Sequence, residues 1–366
     1  MKILLLVPEL FNGTGGIKEF NNFLVKALLE LGHTLSIVSI NDIKHPSNNL
    51  NLNLFFPCAR KKTIIVINTL KQSLSLRPDL ILCGHVNFSP LCMIINRIFK
   101  IPYFTIAYGI DVWNLNGLKL CGLANSSKIL SVSNYTKQRI LRQLINYPEK
   151  DIFILPTTFD LEKFKPGPKP EYLMKKLNIK DDEKVILTIA RLSKSEKYKG
   201  YDKVIITMND IVKEIPNVKY IVGGSGDDFE RIKDLIRNYH LEGKVILTGF
   251  IPDEEIVDYY NLCDVFVMPS KGEGFGIVFL EALACGKPVI CGNKDGSVDA
   301  VLNGEIGILI NPDNVDEIAQ AIVKVLKGNV EKKFLDGEYL RKRIIEAYGF
   351  DKFKERVKEV IERARL

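Results

Sequence analysis

The sequence predicts an α/β protein built from two doubly wound domains, each a parallel sheet with helices on both faces. Short apolar runs such as KILLLV, TLSIVSI and DLILC alternate with helix-length amphipathic segments in the first half, and KVILTIA, VKYIVGG and DVFVMP do so in the second. This strand–helix alternation is typical of parallel sheets covered by helices. A chain of 366 residues also exceeds what one hydrophobic core usually organises, which predicts two domains.

The boundary between the domains is expected in the segment TTFDLEKFKPGPKPEY, which has no hydrophobic periodicity and contains three prolines. We expect a first domain over residues 1–165, a second over 166–345, and a C-terminal helix over 346–366 that packs back on the first. Ligands of open parallel sheets bind beyond the carboxyl ends of the strands. Two such sheets facing each other would therefore enclose a cleft lined by loops of both domains.

The composition is ordinary for a globular enzyme, with 46% hydrophobic and 26% charged residues. No apolar run approaches the ~18 residues that cross a bilayer, and the start MKILLLVPEL indicates a buried strand rather than a signal peptide. The seven cysteines show no C-x-x-C spacing and lie mostly in apolar runs. They predict reduced thiols in a cytoplasmic protein rather than disulfides or a zinc site.

Positive charge is concentrated in the first half of the chain. Residues 1–165 contain 19 Lys and Arg against 10 Asp and Glu, whereas residues 166–366 contain 32 against 34. The basic half either meets an anionic partner or carries ordinary excess surface lysine. The segments RKKTIIVINTLKQSLSLR and MIINRIFK can rest on an anionic membrane or form ordinary solvated and core-facing helix faces.

The most informative motif is SKGEGFGIVFLEALACGKPVI, residues 270–290, which follows the strand DVFVMP. Gly274 and Gly276 allow a tight turn and close approach of a ligand to the backbone before a helix that begins at Ile277. Free amides and the helix dipole at that point suit a phosphate group. Glu273 lies in the loop, whereas Glu281 lies in a helix that is apolar nearly all round and is expected to be buried.

Two further loops follow strands and carry candidate ligand groups. TIARLSKSEKYKG places Arg191 at a strand end and Lys199 just before a glycine, so these cations can hold a diphosphate; Lys194 and Lys197 are typical solvated lysines. NGTGGIKEF, after the first strand, brings Gly15 and Gly16 to a helix start but lacks the full G-x-G-x-x-G fingerprint. Asp42, after the second strand, can imitate the ribose-binding acid of a dinucleotide fold, although its spacing is long.

Taken together, these motifs resemble those of retaining nucleotide-sugar glycosyltransferases of glycosyltransferase family 4. The resemblance rests on Glu273 and Glu281, on the Arg191…Lys199 loop, on the double glycine of the first domain and on the stretch GSVDAVLNGEIGILINP. It covers nearly all of the second domain and parts of the first. It implies the GT-B architecture, in which two Rossmann-like domains face each other across a cleft.

The resemblance also implies a role for each motif. Glu281 would bind the donor ribose, Glu273 would hold the transferred sugar, and Arg191 and Lys199 would grip the diphosphate, with Glu273, Arg191 and Lys199 as the catalytic groups. The remaining donor contacts implied are backbone or loop positions at Gly15, Gly16, Gly223, Gly224, Phe250, Ile251, Gly274, Phe275, Gly276 and Ile277.

One stretch of the first domain departs from the family. Members often carry histidine in a His-Gly-x-Asp-x-Trp-like segment, where this chain has Tyr108 followed by Asp111 and Trp113. His85, after the strand DLILC, lies near another strand end and is a second candidate for the same role, against an ordinary structural histidine. Tyr108, Asp111 and His85 are therefore candidates for contact with the acceptor or the sugar.

The activity implied is transfer of a sugar from a nucleotide-diphosphate sugar to an unidentified hydroxyl acceptor, a glycan, a lipid-linked molecule or a small molecule, with retention of configuration. No D-x-D metal–diphosphate signature occurs, so neither a metal nor another cofactor is expected. A nucleotide-sugar 2-epimerase, a phosphorylase and a non-catalytic nucleotide- or sugar-binding protein remain alternatives. Neither a dinucleotide-dependent dehydrogenase nor nucleic-acid binding is expected, because the glycine fingerprint is incomplete and no basic motif is interleaved with aromatic residues.

Overall fold

The computed structural model describes residues 1–13, 15–44 and 54–363, which form two compact units. Unit 1 contains Met1–Thr158 together with Phe350–Leu366, and unit 2 contains Phe159–Gly349. The division after Thr158 falls at the start of the segment TTFDLEKFKPGPKPEY, before the expected boundary at residue 165, because the rest of that segment packs on unit 2. The backbone N–H of Gly167 donates to Asn261 Oδ1 at 3.0 Å, and Lys169 pairs with Asp264 at 2.9 Å.

Unit 1 is built on a seven-stranded, entirely parallel sheet with strand order β3-β2-β1-β4-β5-β6-β7. The strands are β1 (Lys2–Val7), β2 (Thr34–Ser39), β3 (Phe55–Pro57), β4 (Leu80–Cys83), β5 (Tyr103–Ala107), β6 (Lys128–Ser131) and β7 (Ile152–Ile154). The helices between them are α1 (Gly16–Glu30), α2 (Lys62–Ser75), α3 (Ser89–Phe99), α4 (Ile110–Trp113), α5 (Gly117–Ala124) and α6 (Asn134–Gln143). The strand order reverses beside β1, as in doubly wound folds.

Unit 2 repeats the plan with a six-stranded parallel sheet of order β10-β9-β8-β11-β12-β13. Its strands are β8 (Lys184–Ile189), β9 (Val218–Gly223), β10 (Val245–Gly249), β11 (Val265–Met268), β12 (Val289–Gly292) and β13 (Ile308–Ile310). Its helices are α7 (Glu171–Lys176), α8 (Tyr201–Glu214), α9 (Phe229–Asn238), α10 (Ile256–Leu262), α11 (Ile277–Ala284), α12 (Ser297–Ala300), α13 (Val315–Leu326) and α14 (Gly337–Tyr348). A short 3-10 helix, Lys194–Lys199, precedes α8.

The central strands of both sheets are buried on both faces, which explains their continuous apolar sequences. Residues Ile3 to Val7 of β1 and all of β11 are inaccessible to solvent. A strand with two covered faces has no polar side to present, so its sequence shows no alternation of polar and apolar residues. The charged groups of the candidate site therefore come mostly from the loops at the strand ends.

The last helix, α15 (Phe350–Glu362), belongs to unit 1 and packs on α1. The buried ring of Phe353 meets Phe20 edge-on with ring centres 5.6 Å apart, and Lys354 pairs with Glu30 at 2.8 Å. Within the described part of the chain, no helix is both long enough and apolar enough to cross a bilayer.

We expect Phe353→Ala to lower the free energy of unfolding of unit 1 by about 3–5 kcal/mol, because it removes a buried ring and leaves a cavity against Phe20. Trp113, the single tryptophan of the chain, is buried in unit 1, so its fluorescence during urea unfolding reports on that unit. The exposed neighbour Lys352→Ala serves as the control and should change stability by less than about 0.5 kcal/mol. Equal unfolding midpoints for Phe353→Ala and wild type would contradict this packing.

Candidate active site

The carboxyl ends of β8 and β11 are adjacent in the sheet of unit 2, at the point where the strand order reverses. The loop after β8 contains Arg191 and Lys199, and the loop after β11 contains Glu273 and leads into α11. Such a reversal leaves a crevice in which open α/β sheets bind ligands. The structure thus brings together the two motifs that the sequence analysis treated separately.

Lys199 and Glu273 form the central ion pair of this crevice. Lys199 Nζ donates to Glu273 Oε1 at 2.7 Å and lies 3.6 Å from Glu196, and the side chains of Lys199 and Glu273 are each 15% exposed. Burial by itself would lower the pKa of Lys199, but the carboxylates of Glu273 and Glu196 raise it above its ordinary value. Lys199 is therefore a fixed positive charge at neutral pH.

Arg191 lies at the mouth of the crevice. Its side chain is 67% exposed and its guanidinium lies 3.3 Å from Glu196, which thus contacts both predicted cations. Glu196 was not predicted from the sequence, because this residue lies among lysines in a loop that has the composition of a solvated segment. Lys197 lies 3.9 Å from the buried carboxylate of Asp228, and the side chain of Lys194 is exposed.

The loop that carries Glu273 is held from beneath by Asp295, a residue that sequence analysis did not assign. The fully buried Asp295 carboxylate accepts from Glu273 N at 2.8 Å, Ser270 Oγ at 2.7 Å and Ser297 N at 2.9 Å. Burial raises its pKa, and these donors oppose that effect. The available signal was its position directly after β12, the same signal that identified Arg191 and Glu273.

Glycines let the loops approach each other closely enough for this arrangement. A Cβ at Gly296 would lie 2.1 Å from Gly274 O, and a Cβ at Gly224 would lie 1.8 Å from Ala190 O. The latter contact joins the loops after β8 and β9. Larger residues at these two positions would push the loops apart.

The start of α11 presents several backbone amides. Gly276 caps the helix in the left-handed region, at φ 92°, and the N–H groups of residues 274–278 have no hydrogen-bond acceptor within the described residues. Phe275 turns its ring away to pack edge-on against Tyr348, with ring centres 5.2 Å apart. Phe275, Gly276 and Ile277 can therefore serve a ligand through the backbone.

Glu281 is 8% exposed and lies in α11, as its apolar surroundings predicted. Its Oε2 accepts from Tyr260 OH at 2.7 Å, and burial together with Glu281 raises the pKa of Tyr260 well above its ordinary value. Tyr260 therefore stays protonated and holds the carboxylate from the protein side. Tyr260 was not predicted from the sequence, because a tyrosine in the apolar segment of α10 is indistinguishable from an ordinary residue of the hydrophobic core.

The predicted base-binding segments lie at the ends of β9 and β10. Ile251 is buried, and its side chain occupies the place that a Cβ on Gly223 would take. Phe250 is 62% exposed, and Gly224 N donates to Gly249 O at 2.8 Å. The two loops are thereby joined, with the ring of Phe250 on their surface.

In unit 1, the glycine loop after β1 leads into α1 and is held by Asp42. Gly15 caps the helix at φ 122°, and Gly16 is its first residue; Thr14 lies outside the described residues. Asp42 is fully buried and accepts from Ser39 Oγ and from the backbone N–H groups of residues 10–12 at 2.7–3.1 Å. Both of its oxygens are occupied, so the suggested ribose-binding role of Asp42 is wrong, and the residue instead fixes the loop.

Tyr108 and His85 lie beside each other near the carboxyl ends of β5 and β4, with ring centres 6.3 Å apart. The Tyr108 hydroxyl donates to Asn21 Oδ1 at 3.0 Å and its ring packs on Phe20, so this hydroxyl is engaged inside unit 1. His85 Nδ1 accepts from Asn87 N at 3.1 Å, which assigns the ring proton to Nε2. Burial lowers the pKa of His85 to about 4, so the ring is neutral at pH 7.

Asp111 borders a cavity of about 470 Å³ that is formed entirely by unit 1. The cavity is lined by Asp111, Asn114, Leu115, Asn116, Gly117, Leu118 and Lys119. Asp111 accepts from Tyr108 N at 3.1 Å, and burial raises its pKa from 3.8 to about 6. Among residues 1–13, 15–44 and 54–363, no group of three or more His, Cys, Asp or Glu side chains could hold a metal ion.

Comparison with known proteins agrees with this architecture. Residues 171–348 match the family described as Glycosyl transferases group 1. An uncharacterized glycosyltransferase of Methanocaldococcus jannaschii is 24% identical over 369 residues, covering 92% of this chain and 91% of that protein. A GDP-mannose-dependent α-(1-6)-phosphatidylinositol monomannoside mannosyltransferase of Mycolicibacterium smegmatis is 29% identical over 212 residues, covering 56% of this chain and 54% of that protein.

Among solved structures, Anabaena HepE in complex with UDP superposes with a TM-score of 0.80 at 18% identity, covering 99% of this chain and all of that one. Two Rossmann-like parallel-sheet units of this kind make up the GT-B fold. The protein is a glycosyltransferase, and its residues 171–348 match the group 1 family. The epimerase, phosphorylase and binding-protein alternatives are not favoured.

We expect Asp111→Asn to change the free energy of unfolding of unit 1 in the stabilising direction at pH 7.5 relative to its effect at pH 4. The folded-state pKa of Asp111, about 6, lies above the ~3.9 of an unfolded chain, so folding takes up a proton between these values. Its contribution to stability is therefore present below pH ~4 and lost as the pH rises through 6. Urea unfolding followed by Trp113 fluorescence measures the difference, and an equal effect of Asp111→Asn at both pH values would contradict the burial of the charge.

Proposed function

We propose that this glycosyltransferase moves a sugar from a nucleotide-diphosphate sugar to an acceptor hydroxyl with retention of anomeric configuration and without a metal ion. The observation that carries the proposal is the charged Lys199, which Glu273 holds beside the unpartnered amides at the start of α11. Related proteins support a nucleotide-bound donor: HepE was solved with UDP and UDP-glucose, and the mannosyltransferase is GDP-mannose-dependent.

In this proposal the donor diphosphate lies against Arg191, Lys199 and the amides of residues 274–278. The Arg191 guanidinium, the Lys199 ammonium and a helix N-terminus are the kinds of group that bind a diphosphate. This is the role that a divalent cation fills in metal-dependent transferases, which is the argument for metal independence. The predicted contribution of Gly15 and Gly16 to diphosphate binding is part of the same proposal.

Glu273 and Glu281 then bind two other parts of the donor, the transferred sugar and the ribose. Glu273, with its backbone fixed by Asp295, offers a carboxylate to hydroxyls of the transferred sugar. Glu281, which Tyr260 orients from the opposite side, offers a carboxylate oxygen to the ribose hydroxyls. A buried carboxylate that accepts hydroxyl donors when substrate binds recovers part of its desolvation cost. Phe250 and the loops at Gly223 and Gly224 would meet the base.

In the reaction, the bond between the anomeric carbon and the leaving phosphate oxygen breaks, and the bond to the acceptor oxygen forms on the same face of the sugar. The acceptor proton passes to the departing phosphate oxygen, so no separate protein base is required. Negative charge grows on that phosphate in an oxocarbenium-like transition state. Arg191 and Lys199 stabilise this charge through groups that are already in place.

For the acceptor, we propose that Asp111, at the unit 1 cavity, and the neutral His85, beside Tyr108, contact hydroxyl groups of the acceptor or sugar. Tyr108 does not replace the family histidine in this scheme, because its hydroxyl is held by Asn21. Nε2–H of His85 is the available donor on that side. The acceptor would be a glycan, a lipid-linked molecule or a small molecule, handled on the cytoplasmic side.

The first test is a thermal-shift panel of UDP, GDP, ADP and their common sugar conjugates. A ligand at about 100 times its dissociation constant adds roughly 2.7 kcal/mol to stability, so the correct nucleotide should raise Tm by several degrees. EDTA should leave the shift unchanged.

Glu281→Gln keeps an acceptor for Tyr260 but removes the charge, and this variant should weaken nucleotide binding about tenfold or more. The exposed Glu254→Gln is its matched control. If no nucleotide changes the Tm of the folded protein, the assignment of the donor site is wrong.

We further expect Arg191→Ala to lower turnover at least tenfold, because removal of one donor to a growing oxyanion commonly costs 10²–10³ in rate. Lys194→Ala, an exposed cation in the same loop, should keep turnover within about twofold of wild type. Product formation followed by NMR gives the rate and the anomeric configuration together. A folded Arg191→Ala enzyme at near-normal rate removes this residue from the site, and an inverted product removes the retaining mechanism.

A further inference from the structure

Three helices cover one face of the unit 1 sheet and share a buried core beneath them. Right-handed crossovers place α2, α3 and α5 on the face opposite α1, and α3 packs against both α2 and α5. Ile65 of α2 and Cys92 and Met93 of α3 join one buried cluster with β1, β4 and β5. The opposite sides of these helices therefore face solvent.

The solvent side of these helices is unusually apolar. Six aliphatic side chains on it are 40–70% exposed: Val66, Ile67, Leu74, Ile94, Ile98 and Leu118. In the described residues of unit 2, only two large apolar side chains, Tyr172 and Phe250, are this exposed, and they lie on separate segments. We call the outer surface formed by these six residues and the basic side chains among them the α2–α3–α5 face.

The helices of this face and the loops that flank them are strongly basic. Between Arg60 and Lys119 the chain has eight Lys and Arg, all exposed, against two acidic residues, Asp79 and Asp111. Lys71 lies between Ile67 and Leu74 along α2, and Arg97 adjoins Ile98 on α3. Asp79 accepts from the backbone N–H of Lys2, and Asp111 borders the cavity.

These eight cations are available to a partner. Over residues 1–13, 15–44 and 54–363, none of them forms an ion pair with a carboxylate. In unit 2, by contrast, three surface lysines form ion pairs: Lys203, Lys271 and Lys294 all lie 2.7–2.9 Å from Asp313. Unit 1 as a whole has 23 basic against 12 acidic residues, whereas unit 2 has 28 against 32.

We propose that the α2–α3–α5 face docks this protein on an anionic lipid bilayer. Aliphatic side chains that alternate with unpaired Lys and Arg on helix surfaces match the boundary between lipid headgroups and acyl chains, where each basic residue is attracted to anionic lipid. The six exposed apolar residues include no aromatic ring, whereas protein-binding hot spots favour Trp, Tyr and Arg. A second copy of the chain would bring two sets of unpaired cations together.

The inference goes beyond the proposed function and uses none of the residues assigned to the donor site. The docking test is flotation of the full-length chain with vesicles of phosphatidylcholine alone or of phosphatidylcholine with phosphatidylglycerol. We expect binding to the anionic vesicles at ~0.05 M salt, loss of that binding at ~0.5 M salt as charges are screened, and little binding to neutral vesicles. Absence of binding to anionic vesicles at low salt overturns the proposal.

Two pairs of variants assign the binding to this face. Lys71→Glu with Arg97→Glu should lower vesicle affinity at least tenfold, since one basic residue near an anionic surface contributes about fivefold. Lys175→Glu with Lys324→Glu makes the same change in net charge on unit 2 and should leave affinity within about twofold. If the unit 2 pair weakens binding as much as the face pair, net charge rather than this face is responsible and the proposal fails.

The contribution of the aliphatic side chains is tested by Ile67→Gln with Ile98→Gln. This double variant should bind anionic vesicles several-fold more weakly, and the binding that remains should be lost at high salt. Ile145→Gln, at an 86% exposed position outside the three helices, is its control. Trp113 fluorescence checks that unit 1 stays folded, and the nucleotide-induced Tm shift without vesicles reports separately on unit 2. Equal flotation of the apolar variant and wild type overturns the role of the aliphatic side chains.

Discussion

Parallel pairing of every strand in both sheets is the constraint on which the rest of this structure depends. It forces each connection to cross the sheet as a helix or long loop, and it leaves the central strands covered on both faces. The charged groups of the candidate site then come mainly from the loops at strand ends. The candidate site of unit 2 follows from this, because β8 and β11 end side by side and their loops carry Lys199 and Glu273.

Two buried carboxylates turn these loops into defined surfaces, one in each unit. Asp42 accepts the amides of the loop before Gly13, and Asp295 accepts the amide of Glu273 together with Ser270 and Ser297. In both cases backbone N–H groups that would face solvent are bound to an aspartate from the next strand of the sheet. A loop held in this way presents its glycines and side chains in one arrangement, which is what preorganised binding of a charged substrate requires.

The two units use positive charge in opposite ways. Unit 2 sets several of its cations against carboxylates, as in the Lys199–Glu273 pair and the three lysines around Asp313, so these cations are held in position. Unit 1 leaves the cations of α2, α3 and α5 exposed beside aliphatic side chains. Fixed charge suits recognition of one small anionic group, whereas exposed charge suits an extended anionic surface.

The sequence by itself determined the class of fold, because strand–helix alternation and glycine-flanked loops are local patterns that report burial and backbone conformation directly. It also indicated Glu273, Glu281, Arg191 and Lys199, since a charged residue directly after an apolar strand, or inside an apolar helix, needs an explanation.

Only the tertiary structure decided which groups meet: that Lys199 pairs with Glu273 across 74 positions, that Tyr260 holds Glu281, and that Asp42 and Asp295 serve loops rather than ligands. It likewise decided that Tyr108 is occupied by Asn21 and that the exposed aliphatic residues of three separate helices share one face. These outcomes depend on contacts between residues distant in the chain. No local pattern encodes them, because the same residue types at the same spacing are compatible with several partners until the sheet order brings one of them within reach.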